Sequence, residues 1–236
     1  MSFNFGKAAS TYDKSATCHK EIANHLAWMI HESFKDSPKN VLDVGAGTGF
    51  LTEEFARFFE DVPITLNDIS NEMLEVAKSK FQKNNFLQGN AEDIDLSGYD
   101  MVISSMSFQW FNNINFFIEK SLRYCKKTAF SIPVLGTFRN WYDILDKLNL
   151  EPPIVKHKSK DEILSFCDSI DLSYKKFDEK EYVMNFSSPK DFMRYFKLIG
   201  ANIPGHQHSI DSLKKLVSMN NHLEVSYQVF FAVLGR

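Results

Sequence analysis

The chain has 236 residues, 44% hydrophobic and 24% charged, a balance that gives a sizeable core and excludes disordered, collagen-like and low-complexity classes. The net charge of −3 hides an asymmetry: residues 1–119 carry 9 Lys/Arg against 17 Asp/Glu, and residues 120–236 carry 18 against 13. The basic second half points to an anionic partner there.

Phe3 to Asp13 is polar with scattered aromatics. Ile22, Leu26, Met29 and Ile30 share one helical face and predict a helix over Ser15–His31, before Pro38 breaks the chain. Asn40–Val44 is a short apolar run ending in glycines, the mark of a buried strand. Leu51, Phe55, Phe58 and Phe59 predict a helix over Phe50–Phe59, and Ile64–Leu66 a second strand. Ser70 caps a helix bearing Met73, Leu74 and Ala77. Strands follow at Phe86–Leu87, Tyr99–Ser104 and Thr128–Ile132, with a helix at Ile114–Cys125. This alternation predicts an α/β fold with a doubly wound, mostly parallel sheet.

Later, Lys180–Phe186 reads as a strand. Ser188-Pro189 opens a helix through Leu198, and Ser209 caps another with Leu213, Leu216 and Val217. Leu223, Val225, Tyr227, Val229, Phe231 and Val233 alternate strictly and predict a closing strand. The expectation is one domain over 1–236: an N-terminal gate and helix at 1–36, a cofactor-binding core at 39–135, and a helical lid at 187–222, inserted before an antiparallel last strand.

Asp43-Val-Gly45-Ala46-Gly47-Thr48-Gly49 lies between a predicted strand and helix. Ligands of doubly wound sheets bind at such strand ends. The loop is G-x-G-x-G, without the third glycine spacing of a dinucleotide site or the lysine of a phosphate loop. Asp68 closes the second strand, where an acid can accept ribose hydroxyls, and Ile69 follows it. Asp43 is placed near a cationic ligand end. A ribose, a cation and no phosphate describe S-adenosylmethionine. Gly89-Asn90-Ala91-Glu92 follows the third strand, where Asn90 and the Ala91 backbone can read an adenine edge. Ser104-Ser105 ends the fourth strand beside the methionine end.

Several segments resemble one family. VLDVGAGTGFLT, LNDIS and GNAEDI look like class I S-adenosylmethionine-dependent methyltransferases. Phe5–Ala16, Ser107-Phe-Gln-Trp110, Met193–Asn202 and Val225–Val233 resemble malonyl-[acyl-carrier protein] O-methyltransferases of biotin synthesis. The resemblance runs over nearly the whole chain and implies a Rossmann-like, seven-stranded sheet. Two positions depart from the family: Asn90 replaces the usual acid, implying weaker adenine binding, and Cys125-Lys-Lys127 replaces a P-G-G turn.

The resemblance implies methylation of the free carboxylate of malonyl-acyl carrier protein, or malonyl-coenzyme A, to prime pimelate synthesis. A carboxylate is ionised at neutral pH and needs no general base. Arg194, then Arg139, are the expected carboxylate ligands, because a guanidinium forks onto a carboxylate. Phe138, Gln109 and Trp110 are expected along the substrate pocket, and Tyr12 over the cofactor. Lys197, with Lys156, Lys158 and Lys160, is a candidate for meeting the acidic carrier protein or its phosphopantetheine.

No metal is expected: His19, His25 and His31 do not stack on one helix face, and His206-x-His208 has no accompanying ligands. Cys18, Cys125 and Cys167 form no paired motif, the N-terminus is too polar for a signal peptide, and a cytoplasmic setting is expected. Neither nucleic-acid nor membrane binding is expected. The rival readings are a methyltransferase for another carboxylic acid or a quinone precursor, and an idle cofactor- or carrier-binding protein.

Overall fold

The computed structural model describes residues 5–34, 36–150, 157–201, 210–219 and 221–236. Lys156, His206, His208 and Ser209, named above, lie outside the described residues.

Strands β1 (Val41–Val44), β2 (Ile64–Asp68), β3 (Asn85–Gln88), β4 (Met101–Ser105), β5 (Lys127–Pro133), β6 (Tyr174–Phe186) and β7 (Leu223–Gly235) form one sheet in the order 3-2-1-4-5-7-6. The β1 to β5 pairings are parallel, and β7 runs antiparallel between β5 and β6. The order reverses at β1, so the ligand crevice opens beyond the carboxyl ends of β1 and β4.

The helices are α1 (Phe5–Ser15), α2 (Thr17–Ser33), α3 (Phe50–Ala56), α4 (Asn71–Lys80), α5 (Ile114–Cys125), α6 (Arg139–Lys147), α7 (Lys160–Ser169), α8 (Pro189–Leu198) and α9 (Ile210–Ser218). Two cores form, one on each face of the sheet. Ile22, Leu26 and Met29 of α2 pack on Val41, Met101, Ile103 and Phe231. On the other face, Phe117 and Leu122 of α5 and Ile163 of α7 pack on Leu42, Val102, Phe130 and Phe230. Alternate residues of each strand serve opposite cores, as the strand period requires.

Local signals set many boundaries. The Ser70, Asn113 and Ser188 side chains accept from the backbone N–H groups of Met73, Phe116 and Asp191. Ser159 and Glu162 complete a capping box on α7.

Four expectations need correction. The N-terminal segment, read as polar with scattered aromatics and given no element of its own, is the helix α1, held by tertiary contacts on Ala8, Ala9 and Thr11. α3 ends at Ala56, three residues before the predicted Phe59, because the chain turns there to bring Phe58 and Phe59 against His31. β6 begins at Tyr174 rather than Lys180. Its extra residues are charged, as befits an edge strand, and that charge hid it. β7 alternates in burial only at its start. Its later half is buried on both faces, because Phe230, Ala232 and Leu234 meet one core while Phe231 and Val233 meet the other. Two helices, α6 and α7, were not predicted. Each buries only two residues four apart, Trp141 with Leu145 and Ile163 with Cys167.

Candidate functional site

Gly45, Gly47 and Gly49 all have positive φ, at 63°, 56° and 92°. That lets the chain leave β1 and turn at once into α3. A Cβ on Gly45 would stand 1.9 Å from Ser107 Oγ, so the turn after β4 presses directly on this loop. A Cβ on Gly47 or Gly89 would meet nothing within 4 Å, so the backbone there borders open space.

Hydrogen bonds hold the loop in shape. Gly47 N–H donates to Asp68 Oδ2 at 2.8 Å, and Ser70 N–H donates to Asp68 Oδ1 at 2.8 Å. Ala46 N–H donates to the Asn67 carbonyl at 2.8 Å. Asp68 thus ties β2 to the glycine turn. Burial raises its pKa, against the pull of its backbone donors. Ile69 next to it is 70% exposed, an apolar face left open beside a carboxylate.

Asp43 is fully buried. Its Oδ2 accepts from Thr52 Oγ1 at 2.7 Å, while its Oδ1 has no partner. Burial pushes its pKa up to about 7. A buried carboxylate oxygen without a donor is costly unless a ligand completes it. His19, Asp43, Gly45, Ala46, Phe50, Leu51 and Ser105 line one recess, open to solvent.

α1 covers this region. Tyr12 stacks on Phe50, ring centroids 5.7 Å apart. Asp13 accepts from Thr48 Oγ1 at 2.6 Å and pairs with Lys80 at 2.7 Å. Thr11 Oγ1 donates to the Leu198 carbonyl at 2.9 Å, joining α1 to α8.

The 3-10 turn Ala91–Asp93 follows β3. Asn90 Oδ1 accepts from Glu92 N–H at 3.2 Å, so Asn90 caps this turn. Ala91 is buried. The Glu92 carboxylate is taken up by protein donors: Asn113 N–H at 3.0 Å, Asn112 N–H at 3.2 Å and Asn112 Nδ2 at 2.9 Å. Glu92 therefore fastens this turn to the approach to α5. Ser105 lines the recess, its Oγ 3.0 Å from Ser131 Oγ. Gln109 donates to the Met106 carbonyl at 2.7 Å, while its Oε1 is buried without a partner. Trp110 is half-buried in the 3-10 turn Phe108–Trp110.

The substrate-side expectations divide. Phe138 is buried, against Tyr227 at 4.4 Å, Phe196 at 5.2 Å and Phe192 at 5.4 Å. Arg139, one residue on, is exposed. The Arg194 side chain is 66% exposed and lies 3.9 Å from Asp191. α8 turns Phe192 and Tyr195 inward, which puts Lys190, Arg194 and Lys197 on its solvent face at i, i+4 and i+7. Neither arginine reaches the recess in this conformation. Lys160 is paired with Glu179 at 2.7 Å, and Lys158 is exposed.

Sequence reasoning passed over His19, Tyr195 and Tyr227. His19 Nδ1 is buried without a hydrogen-bond partner, and the buried Tyr195 Oη has the Tyr227 hydroxyl in reach. The His19 ring stands 5.3 Å from Tyr227 and 5.9 Å from Tyr12. Burial lowers the His19 pKa to about 4, so the ring is neutral at pH 7. Burial, then neighbouring ionisable groups, raises the pKa of both tyrosines. The missed signal was the odd polar group in apolar runs, Tyr227 on the core face of β7 above all.

Topology, glycine loop and acids at the ends of β1 and β2 together define a class I S-adenosylmethionine-dependent methyltransferase. A family model described as a methyltransferase domain matches residues 41–128. The plantazolicin methyltransferase BpumL, solved with a monoazolic desmethylPZN analogue and SAH, superposes with a TM-score of 0.56 at 17% identity, over 98% of this chain and 89% of its own. Two curated relatives are more telling. The malonyl-[acyl-carrier protein] O-methyltransferase of Neorickettsia risticii is 31% identical, over 99% of this chain and 94% of its own. That of Acetivibrio thermocellus is also 31% identical, over 100% of this chain and 88% of its own. The chain belongs to the malonyl-[acyl-carrier protein] O-methyltransferase family. It is an O-methyltransferase that uses S-adenosylmethionine.

Proposed function

We propose that the protein methylates the free carboxylate of a malonyl group carried by acyl carrier protein, giving the malonyl methyl ester that primes pimelate synthesis for biotin. The full-length similarity to relatives of that name carries the reading. Among the described residues, no helix is long and apolar enough to cross a membrane.

S-adenosylmethionine, when bound, supplies an electrophilic methyl on a cationic sulfur. The orphaned Asp43 Oδ1 and the open space over Gly47 and Gly89 fit its cationic and nucleoside parts. Asp43 would answer the positive charge, and Asp68 would take the ribose hydroxyls through its remaining lone pairs. Ile69 would lie against the adenine, with Asn90 and Ala91 at its edge and Tyr12 closing over the top.

The chemistry asks little proton transfer of the chain. Attack by a carboxylate needs no general base. Phe50 lines the recess, and the buried Tyr227 and Phe138 rings pack in turn beyond His19, apolar surroundings that favour the collapse of anion and cation to neutral products. Gln109 and Trp110 would border the same pocket.

The carrier protein is read from the solvent face of α8. Lys190, Arg194 and Lys197 make a basic stripe over the aromatic roof of the pocket, suited to an acidic partner or a phosphopantetheine phosphate. Arg194 belongs to this docking stripe rather than to the reacting centre.

The deciding assay offers S-adenosylmethionine with malonyl-carrier protein, malonyl-coenzyme A, acetyl-carrier protein and free malonate, and reads methyl transfer by mass spectrometry. A methyl on malonyl thioesters alone, fastest on the carrier protein, supports the reading. Intact cofactor binding with no methylated malonyl thioester refutes it. Raised salt, or Arg194→Ala with Lys197→Ala, should raise KM for the carrier protein much more than for malonyl-pantetheine.

A further inference from the structure

We propose that the free carboxylate of the substrate is received by uncharged donors, His19, Tyr195 and Tyr227, at the N-terminus of α2, and not by a lid arginine. The inference deepens the malonyl reading and rests on it for the identity of the acyl group.

Four observations meet at this point. α2 is 17 residues long, and Ala16, the residue before it, provides no side-chain cap. Ala16 is fully buried, so water does not readily replace the missing cap. The free N–H groups of a first turn, at the positive end of the helix, form an anion site when something else points to a ligand. Here that second sign is the set of buried polar side chains beside the turn. Tyr195 is 9% exposed and its hydroxyl has that of Tyr227 in reach, while the Nδ1 of His19, in that same first turn, is buried without a partner. The Tyr195 and Tyr227 hydroxyls lie within hydrogen-bonding reach of each other, and both side chains lie near Cys18 of the first turn.

His19 also lines the recess with Asp43, Gly45 and Ser105, so the cluster opens toward the place where the cofactor's charge is read. The donors come from three elements, α2, α8 and β7. Closing α8 over the substrate would therefore complete the set.

Uncharged donors suit the reaction. A guanidinium beside the carboxylate would disperse the negative charge that attacks, and would repel the cationic sulfur a few ångströms away. Tyrosine hydroxyls and a neutral imidazole orient one carboxylate oxygen without cancelling its charge. An uncharged acyl group leaves the same donors unsatisfied, which discriminates against acetyl thioesters.

The test uses Tyr195→Phe and Tyr227→Phe, which keep the ring packing, and His19→Asn, which keeps a donor, beside His19→Leu, which does not. Substrate is malonyl-pantetheine, so carrier docking plays no part. A hydrogen bond to a charged group lost from the transition state lowers kcat/KM about ten- to hundredfold. We expect a loss of that size in each Phe variant and in His19→Leu, a smaller one in His19→Asn, and SAH affinity within twofold of wild type in the two Phe variants. Unchanged kcat/KM in both Phe variants overturns the proposal. So does SAH affinity falling in step with kcat/KM.

Binding separates this inference from the reading it rests on. Malonyl- and acetyl-pantetheine are titrated into the SAH complex by calorimetry. Should the wild-type protein methylate no malonyl thioester, a malonyl preference that Tyr195→Phe removes still upholds the carboxylate site. No malonyl preference in the wild-type SAH complex overturns it.

Discussion

Asp13→Ala should detach α1 from the glycine loop and weaken cofactor binding without unfolding the sheet. Asp13 accepts from the buried Thr48 hydroxyl at 2.6 Å and pairs with Lys80 at 2.7 Å. A hydrogen bond to a charged group contributes about 1.5–3 kcal/mol. The Asp13 side chain is 39% exposed, so the lower end applies, and its ion pair with Lys80 adds about 0.5 kcal/mol after solvent screening. The total, about 2 kcal/mol, corresponds to about thirtyfold in the docking equilibrium of α1. Tyr12 rides on α1 and stacks on Phe50, so the ligand's contacts above the recess go with it. Isothermal calorimetry should show SAH binding weakened by up to about thirtyfold, and limited proteolysis should cut near Lys14 faster. Thr48→Val should repeat much of the effect, and the double variant should add little. SAH affinity within twofold of wild type in Asp13→Ala would refute the reasoning.

Asp43 makes cofactor binding proton-linked. Its carboxyl titrates at about 7 in the free protein, raised from the ordinary carboxylate range by burial. The folded state thus holds this proton more tightly than the unfolded chain, and the group's contribution to stability falls as pH rises from about 4 to about 7. A cationic ligand favours the ionised form, so S-adenosylmethionine should release a proton below pH 7 and bind more tightly as pH rises to about 7. Calorimetry at pH 6 in two buffers of different ionisation enthalpy reads this directly, and Asp43→Asn should abolish the buffer difference. Gly45→Ala should abolish cofactor binding, since its Cβ would stand 1.9 Å from Ser107 Oγ at a φ of 63°; adding Ser107→Gly should relieve the clash and restore part of the affinity. Lys126 holds a φ of 62° at an exposed turn, so Lys126→Gly should stabilise by about 0.5–1 kcal/mol, seen as a Tm rise of about 1–4 °C.

Much of the site was legible because it is written in contiguous residues. Asp43 and the glycines are adjacent, Asp68 closes a strand, and Asn90 follows one, so a strand–turn–helix pattern places them all at one end of the sheet. The hydrogen bonds of Glu92 were not legible, because its partners, Asn112 and Asn113, lie about 20 residues away and only folding brings them to it. Arg194 was favoured because it lies in the segment that resembles the family's lid, but its facing depends on which side of α8 packs. Phe192 and Tyr195 take that side, and the arginine is left outside.

By itself the sequence determined the alternation of strands and helices, the cofactor end of the sheet and the family, since each depends on local periodicity, turn chemistry or a run of matching residues. The tertiary structure alone decided that residues 5–15 are a helix, that β6 extends back to Tyr174 along the sheet edge, and that His19, Tyr195 and Tyr227 converge. A polar helix becomes stable only when docked, a charged edge strand only when paired, and a cluster from α2, α8 and β7 exists only once long-range packing has paid the entropy of bringing them together.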